Sequence, residues 1–337
     1  MYKQLLERKN ILVAGGAGFI GSHLCDELIK NANVICVDNF ITGQEENIDL
    51  LLQSPHFEFI RHDISQPLDL EKFPELEVFK IKLQGLQEIY NLACPTSPKE
   101  YNKLPIETLL SNADGTKNTL ELAVKYKAKY LLASSSAIYG DPEEGKPLEE
   151  TYWGFIDPVG PRSCYNEGKR FAESLAVNYG RQHDLSIKIA RIFNTYGPRM
   201  KVNDGRMIPD FIVHALRDES LTIYGHKEAT STFCYVSDMV EGLVKLMEFE
   251  GDGIFNLGSI DLNTFIEVAE KIVTLAESKS EIMVAEPLPY WGKQGIPSIT
   301  KAKEYLGWFP LQPLDTGLKQ TIDYFKVHKN TLRLSSN

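Results

Sequence analysis

A short apolar run that ends in glycines constrains the fold of this chain more than any other feature. Residues 11–14 read ILVA, and Gly15, Gly18 and Gly21 follow as G-x-x-G-x-x-G. A continuous apolar run of this length is typical of a parallel strand that is buried on both faces. Glycines at the turn into a helix let the backbone approach a pyrophosphate, which the helix N-terminus binds through free N–H groups. The motif therefore predicts a dinucleotide site at the end of the first strand.

An acidic residue at the end of the second apolar run specifies the dinucleotide. Asp38 follows the glycines by about 20 residues, where a carboxylate accepts the hydroxyls of the adenosine ribose. It would repel a 2′-phosphate, so NAD is favoured over NADP. Asp63 and Ile64, after the third apolar run, either border the adenine or form an ordinary strand-to-loop turn. The predicted cofactor-binding residues are Gly15, Ala17, Gly18, Phe19, Ile20, Gly21, Asp38, Asn39, Asp63, Ile64, Leu92, Ala93, Tyr165 and Lys169.

Strands alternate with helices along the first two thirds of the chain. The apolar runs predict strands at 34–37, 57–60, 88–92, 130–133, 186–191 and 253–257, and helices at 20–30, 105–126 and from Tyr165 to about 183. This order predicts right-handed βαβ units in an α/β, Rossmann-like, doubly wound parallel sheet. The segment 66–86 is less regular, and we expect it to be a surface excursion.

The pattern also predicts how the chain divides. Residues 1–192 form the NAD-binding Rossmann-like domain, which is rejoined by about 232–260 because GIFNL at 253–257 reads as a further strand. Residues 193–231 and 261–330 are denser in proline and glycine, and we expect them to form a smaller mixed α/β substrate-binding lobe. Residues 331–337 form a polar tail.

A tyrosine and a lysine four residues apart begin the helix that follows residue 160. Tyr165 and Lys169 share one face of that helix. A free phenol titrates near pH 10, and a neighbouring ammonium favours its ionised form, so the pair predicts a base for a hydroxyl proton. Ser135, at the end of a strand (LLASSSAIYG), can hydrogen-bond the same hydroxyl. The predicted catalytic residues are therefore Ser135, Tyr165 and Lys169.

Composition excludes several other classes of protein. The net charge of −10 argues against a nucleic-acid partner, because that binding needs a basic face. Five scattered cysteines without a C-x-x-C pair, and histidines without ligand spacing, predict neither disulfides nor a metal site, and favour a reducing compartment. No apolar run of about 18 residues is present to span a membrane, and the polar N-terminus is not a signal peptide. We therefore expect a cytoplasmic protein without a membrane partner.

Together these motifs resemble those of the extended short-chain dehydrogenases/reductases, the NAD-dependent epimerases and dehydratases of nucleotide sugars. The resemblance covers roughly residues 9 to 327 and is most specific for the UDP-glucuronate decarboxylases (UDP-xylose synthases). The segments that carry it are NLACPTSPKEY (91–101), YGDPEE (139–144), ETYWG (150–154), PRSCYNEGKRFAE (161–173), ARIFNTYGPRM (190–200), DGRMIPDF (204–211) and YVSDMVEGLVKLME (235–248).

The resemblance implies a reaction and a substrate site. The C4 hydroxyl of a UDP-linked sugar acid is oxidised with resident NAD, carbon dioxide is lost, and re-reduction gives a UDP-xylose-like product. Asn194 would then face the sugar diphosphate, Tyr224 the nucleotide base, and Arg199 would also bind substrate. The resemblance further implies a homodimer, in which the helices at 105–126 and 164–183 of both copies form a four-helix contact.

Four positions depart from the pattern of the family's decarboxylases. Ala137 stands where they carry a glutamate, Ser231 where the superfamily usually has an arginine for the diphosphate, and Gly295 and Ile296 where arginines usually precede a proline. Either other cations substitute for the arginines, with Lys201, Arg206, Lys227 and Lys293 as candidates, or the substrate or reaction differs. Three hypotheses therefore stay open: a decarboxylase, a nucleotide-sugar C4 epimerase, which needs no acid at 137, and a non-catalytic NAD-binding sensor.

Overall fold

The fold is described by a computed structural model that covers residues 8–141, 146–203, 205–288 and 295–328. The predicted polar tail at 331–337 lies outside these residues. The strands are β1 (Lys9–Ala14), β2 (Ala32–Asp38), β3 (Phe57–Arg61), β4 (Glu88–Asn91), β5 (Lys129–Ser135), β6 (Ile187–Ile192), β7 (Thr195–Tyr196), β8 (Leu221–Tyr224), β9 (Thr230–Thr232), β10 (Cys234–Tyr235), β11 (Gly253–Leu257), β12 (Leu262–Thr264) and β13 (Ile282–Ala285).

Helices follow most of the strands. They are α1 (Phe19–Leu28), α2 (Ile81–Gln84), α3 (Pro98–Lys103), α4 (Pro105–Asn112), α5 (Asp114–Tyr126), α6 (Ser163–His183), α7 (Met207–Ala215), α8 (Val236–Glu248), α9 (Phe265–Ala276), α10 (Thr300–Leu306) and α11 (Leu314–Val327). Within the described residues, none of them is both long and apolar enough to cross a membrane.

The central sheet has the strand order expected for a doubly wound fold. Across the described residues, seven strands pair in the order β3-β2-β1-β4-β5-β6-β11, and every pair is parallel. The strand order reverses between β1 and β4, which places a crevice at the carboxyl ends of these strands. This topology confirms the predicted α/β, Rossmann-like class. The strand at 253–257 joins the sheet beside β6 as predicted, whereas the division into two lobes stays a prediction.

Alternate residues of each strand face two separate apolar layers. On β1, Ile11 and Val13 pack in one core with α1, α8, α9 and α11. Leu12 and Ala14 pack in the other core with α5 and α6. Because both faces are covered, the four positions from Ile11 to Ala14 are all apolar, which explains the continuous run that the sequence shows.

Two predicted segments differ from the structure. The expected helix at 105–126 is two helices, α4 and α5, because Ala113 has non-helical angles (φ −92°, ψ −81°). Gly115, just after this break, lies so close to Ile64 that a Cβ atom would be 2.6 Å from its side chain. The segment 66–86 is irregular, as expected, but it is not only a surface excursion. It buries apolar side chains in the α5/α6 core: Leu70, Leu76, Phe79, Ile81 and Leu86.

A buried ion pair joins α6 to β6 of the sheet. Arg191 on β6 donates from Nε and Nη2 to the two carboxylate oxygens of Glu173 on α6, at 3.0 and 2.8 Å. The Ser134 hydroxyl on β5 donates to the same carboxylate at 2.5 Å, and Arg191 Nη1 donates to the Tyr139 hydroxyl at 2.9 Å. The pair therefore fixes α6 against the carboxyl ends of β5 and β6.

We expect Glu173→Gln to destabilise the protein by about 3–5 kcal/mol, because Arg191 would remain buried without a counter-charge. The free energy of unfolding in urea measures this loss. Glu167→Gln is the matched control on the same helix, since the side chains of Glu167 and its partner Arg170 are both more than a third exposed and such pairs contribute about 0–1 kcal/mol. Equal losses in the two variants would contradict the role of the buried pair.

Candidate active site

The carboxyl ends of β1, β4, β5 and β6 open into a cavity of about 630 Å³. This volume is in the range of pockets that bind small molecules. Many of the residues predicted from the sequence line it: Gly15, Gly18, Phe19, Ile20, Gly21, Leu92, Ser135, Tyr165, Lys169, Asn194, Arg199 and Tyr224. The structure thus brings the predicted catalytic residues, the predicted substrate residues and the glycine turn into one cavity.

The other predicted cofactor residues lie at neighbouring strand ends and do not line this cavity. They are Ala17, Asp38, Asn39, Asp63, Ile64 and Ala93. The Asp63 carboxylate accepts a hydrogen bond from Ser65 N at 2.9 Å, and the Ile64 carbonyl accepts one from the Asn118 side chain at 2.8 Å. These contacts describe a strand-to-loop turn, and the contact of Asp63 and Ile64 with the adenine stays a prediction.

The glycine turn has the geometry that a bound dinucleotide needs. Gly15 has φ +79°, and a Cβ atom there would be 2.8 Å from the backbone of Leu92 and Ala93. A Cβ atom at Gly21 would be 2.1 Å from the Gly15 carbonyl oxygen. The N-terminus of α1 has no side-chain cap, so its N–H groups are available to a pyrophosphate.

Asp38 completes a set of residues that fits NAD. Its carboxylate accepts hydrogen bonds from Ala17 N at 3.1 Å and Phe40 N at 2.8 Å. These bonds hold the carboxylate beside the glycine turn. Burial raises the pKa of Asp38, while the backbone hydrogen bonds act in the opposite direction.

The predicted catalytic side chains are buried together under the cavity. Tyr165 is 7% exposed and Lys169 is 3% exposed. Lys169 Nζ donates to the Ala133 carbonyl at 2.8 Å and lies 6.0 Å from the centre of the Tyr165 ring. The Tyr165 ring stacks on Tyr101 at 5.2 Å. Ser135 Oγ accepts a hydrogen bond from Ala137 N at 3.1 Å, which fixes the orientation of its side chain.

The electrostatics of Tyr165 differ from the expectation that a neighbouring ammonium lowers its pKa. Burial raises the pKa of the phenol well above its usual value, and the nearby Cys94 thiol acts in the same direction. The Ser135 hydroxyl and the positive charge of Arg162 lower the pKa, but by less. The phenol is therefore protonated at neutral pH in the ligand-free protein, because burial outweighs the favourable neighbours.

The positions that depart from the family pattern lie in two places. Ala137 and Ser231 line the cavity, and Ser231 Oγ accepts a hydrogen bond from Asn194 Nδ2 at 2.7 Å. Gly295 and Ile296 do not line it, and the Ile296 carbonyl instead accepts a hydrogen bond from Leu148 N at 2.7 Å.

The candidate substitutes for the missing arginines also differ in whether they line the cavity. Lys201 and Arg206 line the cavity, whereas Lys227 does not, because its exposed side chain follows β8 on the outer surface. Lys293 lies outside the described residues. Two of the four candidates are therefore placed to meet a ligand.

Several cavity residues were not singled out from the sequence. They include Cys94, Ser97, Lys99, Tyr101, Arg162 and Met200. The available signal was their position in three segments: CPTSPKEY after a strand end, PRSCY at the start of α6, and GPRM. Within the described residues, no group of three or more histidine, cysteine, aspartate or glutamate side chains could hold a metal ion.

Comparison with known proteins identifies the family. Residues 11–258 match the family described as the NAD dependent epimerase/dehydratase family. The chain therefore belongs to this family, which confirms the family predicted from the motifs and the prediction of an NAD-dependent enzyme.

Several proteins with similar sequences are UDP-glucuronic acid decarboxylases, and several solved structures with the same fold are nucleotide-sugar epimerases. UDP-glucuronic acid decarboxylase 5 of Arabidopsis thaliana is 46% identical over 326 residues, which are 95% of this chain and 91% of that protein. UDP-glucuronic acid decarboxylase 1 of Danio rerio is 44% identical over 95% of this chain and 73% of that protein. A crystal structure of UDP-glucuronic acid 4-epimerase from Bacillus cereus, in complex with UDP-glucuronic acid and NAD, has a TM-score of 0.82 and 28% identity, and the match covers 94% of this chain and 99% of that chain.

We expect kcat/KM to rise with pH, by about tenfold per unit below the pKa of Tyr165, because only the ionised phenol accepts a proton and burial raises its pKa. Tyr165→Phe should lower turnover by about 10²- to 10⁴-fold and remove this pH dependence. Tyr179→Phe on the same helix is the control, since its hydroxyl donates to the Glu121 carboxylate in an exposed hydrogen bond. A flat pH profile, or an active Tyr165→Phe variant, would contradict the assignment.

Proposed function

We propose that this protein is a UDP-glucuronate decarboxylase-type enzyme that converts UDP-glucuronate to carbon dioxide and a UDP-xylose-like product. The observation that carries the proposal is the buried set of Ser135, Tyr165 and Lys169 in one cavity beside the glycine turn. Identity of 44–46% to decarboxylases along nearly the whole chain supports the same substrate and reaction.

Each residue of the set has a separate task. NAD, when bound, supplies the reversible hydride acceptor for carbon 4 of the sugar. The Tyr165 phenolate accepts the proton of the C4 hydroxyl and later returns it. Ser135 orients that hydroxyl toward the phenolate, and the positive charge of Lys169 favours the ionised phenol once a ligand excludes water. The C4 ketone is β to the carboxylate, so carbon dioxide leaves as the electrons of the broken bond move toward the ketone. The resulting enolate takes a proton from water at C5, and the hydride removed at the start then returns to C4.

A C4 epimerase of the same nucleotide sugar is the second candidate. Ala137 removes the acid that the family's decarboxylases carry next to the reacting carbons, and an epimerase has no need of it. Solved epimerases also share the fold, among them UDP-glucose 4-epimerase of Thermotoga maritima, with a TM-score of 0.83 and 29% identity over 95% of this chain and 99% of that chain. We rank this candidate second because of the identity to the decarboxylases.

Product analysis separates the two reactions. We expect the NAD-loaded protein to release carbon dioxide from UDP-glucuronate, because oxidation at C4 makes the sugar acid a β-keto acid, and NMR of the nucleotide sugar should show a pentose. The Tyr165→Phe variant is the control for contaminating activity. A C4 epimer that retains its carboxylate would establish the epimerase instead. A folded, NAD-loaded protein that leaves both UDP-glucuronate and UDP-glucose unchanged would favour the sensor.

We also propose that the enzyme is a homodimer through α4 and α6. These helices pack closely, since a Cβ atom on Gly168 would be 3.0 Å from the Asn112 side chain. Their outer sides leave large apolar residues exposed: Ile106 (61%), Leu109 (39%), Leu110 (42%) and Phe171 (52%). An apolar surface formed by two helices that pack side by side suits the four-helix contact that a two-fold axis generates.

Light scattering tests the dimer. We expect twice the chain mass at micromolar concentration, and a monomer for Leu110→Glu, because a charge would be buried in the contact. Leu83→Glu is the control, since Leu83 is 89% exposed and belongs to α2, outside both helices of the proposed contact. A monomeric wild-type protein would refute the proposal.

For the compartment, we propose the reducing environment of the cytoplasm. All five cysteines lie within the described residues, and each is an unpaired thiol. Thiols persist in this form where glutathione and thioredoxin keep proteins reduced.

A further inference from the structure

Most cations of the cavity wall already interact with the protein. Lys201 Nζ pairs with the Glu100 carboxylate at 2.8 Å, and Lys99 Nζ donates to the Asn203 carbonyl at 2.9 Å. Lys169 donates to a backbone carbonyl, and Arg206 has an interaction of its own. These side chains therefore already interact with protein groups before any ligand binds.

Arg162 differs from these cations. It lines the cavity immediately before the first turn of α6. Its Nε atom is buried and has no hydrogen-bond partner in the part of the chain that the structure describes. A buried donor without a partner is unfavourable, so the group is expected to receive its acceptor from a ligand.

Arg162 is also close to the reacting end of the cavity. Its carbonyl accepts the hydrogen bond from Tyr165 N at 3.1 Å, one turn along the helix. Its positive charge acts on the Tyr165 phenol. Ala137, which packs against the cluster of Tyr101, Cys164 and Tyr165, places a methyl group where the family's decarboxylases carry an acid. No carboxylate from position 137 therefore competes for the guanidinium in this chain.

A cation at this place would match the chemistry of the proposed substrate. The carboxylate of a uronic acid is attached to C5, the carbon next to C4, whose hydroxyl meets Tyr165. A group that binds the carboxylate must therefore lie beside the phenol. Arginine is suited to this role, because its planar guanidinium binds a carboxylate through two parallel, charge-assisted hydrogen bonds.

We propose that Arg162 binds the C5 carboxylate of a nucleotide-linked uronic acid and makes the cavity select an acidic sugar over its neutral counterpart. This inference rests on the proposed function only in placing the C4 hydroxyl at Tyr165. It assigns the recognition of this substrate class to a specific residue.

Binding measurements test the proposal without turnover. The full-length, NAD-loaded Tyr165→Phe protein is titrated by calorimetry with UDP-glucuronate, UDP-glucose and UDP. The two sugars differ only in the group on C5. We expect Arg162→Met to weaken UDP-glucuronate binding by about tenfold to a hundredfold, as for a lost charge-assisted contact. UDP-glucose and UDP binding should change by less than about twofold.

Two further variants control the measurement. Arg181→Met removes the same charge from the exposed far end of α6, and we expect it to leave all three affinities unchanged. Arg162→Lys keeps the charge without the planar group, and we expect an intermediate loss for UDP-glucuronate alone. If Arg162→Met does not bind NAD or UDP because it is misfolded, Arg162→Lys decides the question.

The outcomes separate this inference from the proposed function. Equal losses for UDP-glucuronate and UDP-glucose, or an unchanged ratio of the two affinities, would overturn the role of Arg162 even if the protein with Tyr165 intact releases carbon dioxide. A selective loss for UDP-glucuronate would support it. That support would hold even if the protein with Tyr165 intact released no carbon dioxide, in which case the decarboxylase proposal alone would fail.

Discussion

The site depends on the contact between one helix and one strand: a buried face of α6 is hydrogen-bonded to the carboxyl end of β5. Tyr165, Lys169 and Glu173 follow each other at intervals of four residues and therefore share that face. Lys169 binds the Ala133 carbonyl, Glu173 binds the Ser134 hydroxyl, and Tyr165 lies against Ser135. Buried charges are tolerated only when they are paired and fully hydrogen-bonded. The same contacts that hold the helix to the sheet therefore also hold the phenol at the cavity.

The local pattern of the sequence predicts the sheet well, because the signals are short-range. An apolar run with glycines after it defines β1 and its turn, and 253–257 reads as a strand at the bounds that the structure has. The break at Ala113 is different. The apolar spacing of α4 continues into α5, and the helix ends because Gly115 must approach Ile64, a contact across 51 positions of the chain. Periodicity carries no information about such a contact.

The site was predictable to the extent that its chemistry lies in motifs. Ser135, Tyr165 and Lys169 were found because residue type and spacing together suggest a phenol base. The pKa of Tyr165 could not be obtained in this way, because it depends on how much protein covers the ring, and burial outweighs the nearby positive charge. Lys99, Arg162 and Lys201 come from three separate segments that converge only in the folded chain, so no spacing rule links them.

In its proposed role, the charge of Arg162 would couple substrate selection to the chemistry of Tyr165. In the free protein this charge favours the phenolate, and a bound carboxylate would neutralise part of it. The pKa of the Tyr165 phenol would then depend more strongly on the positive charges of Lys169 and of the nicotinamide. Proton transfer would therefore depend on the presence of the bound cofactor. If carbon dioxide leaves as proposed, the sugar no longer carries a carboxylate and the guanidinium loses its partner. The product, whose sugar is uncharged, would therefore bind more weakly than the acid, which would favour its release and the entry of the next substrate.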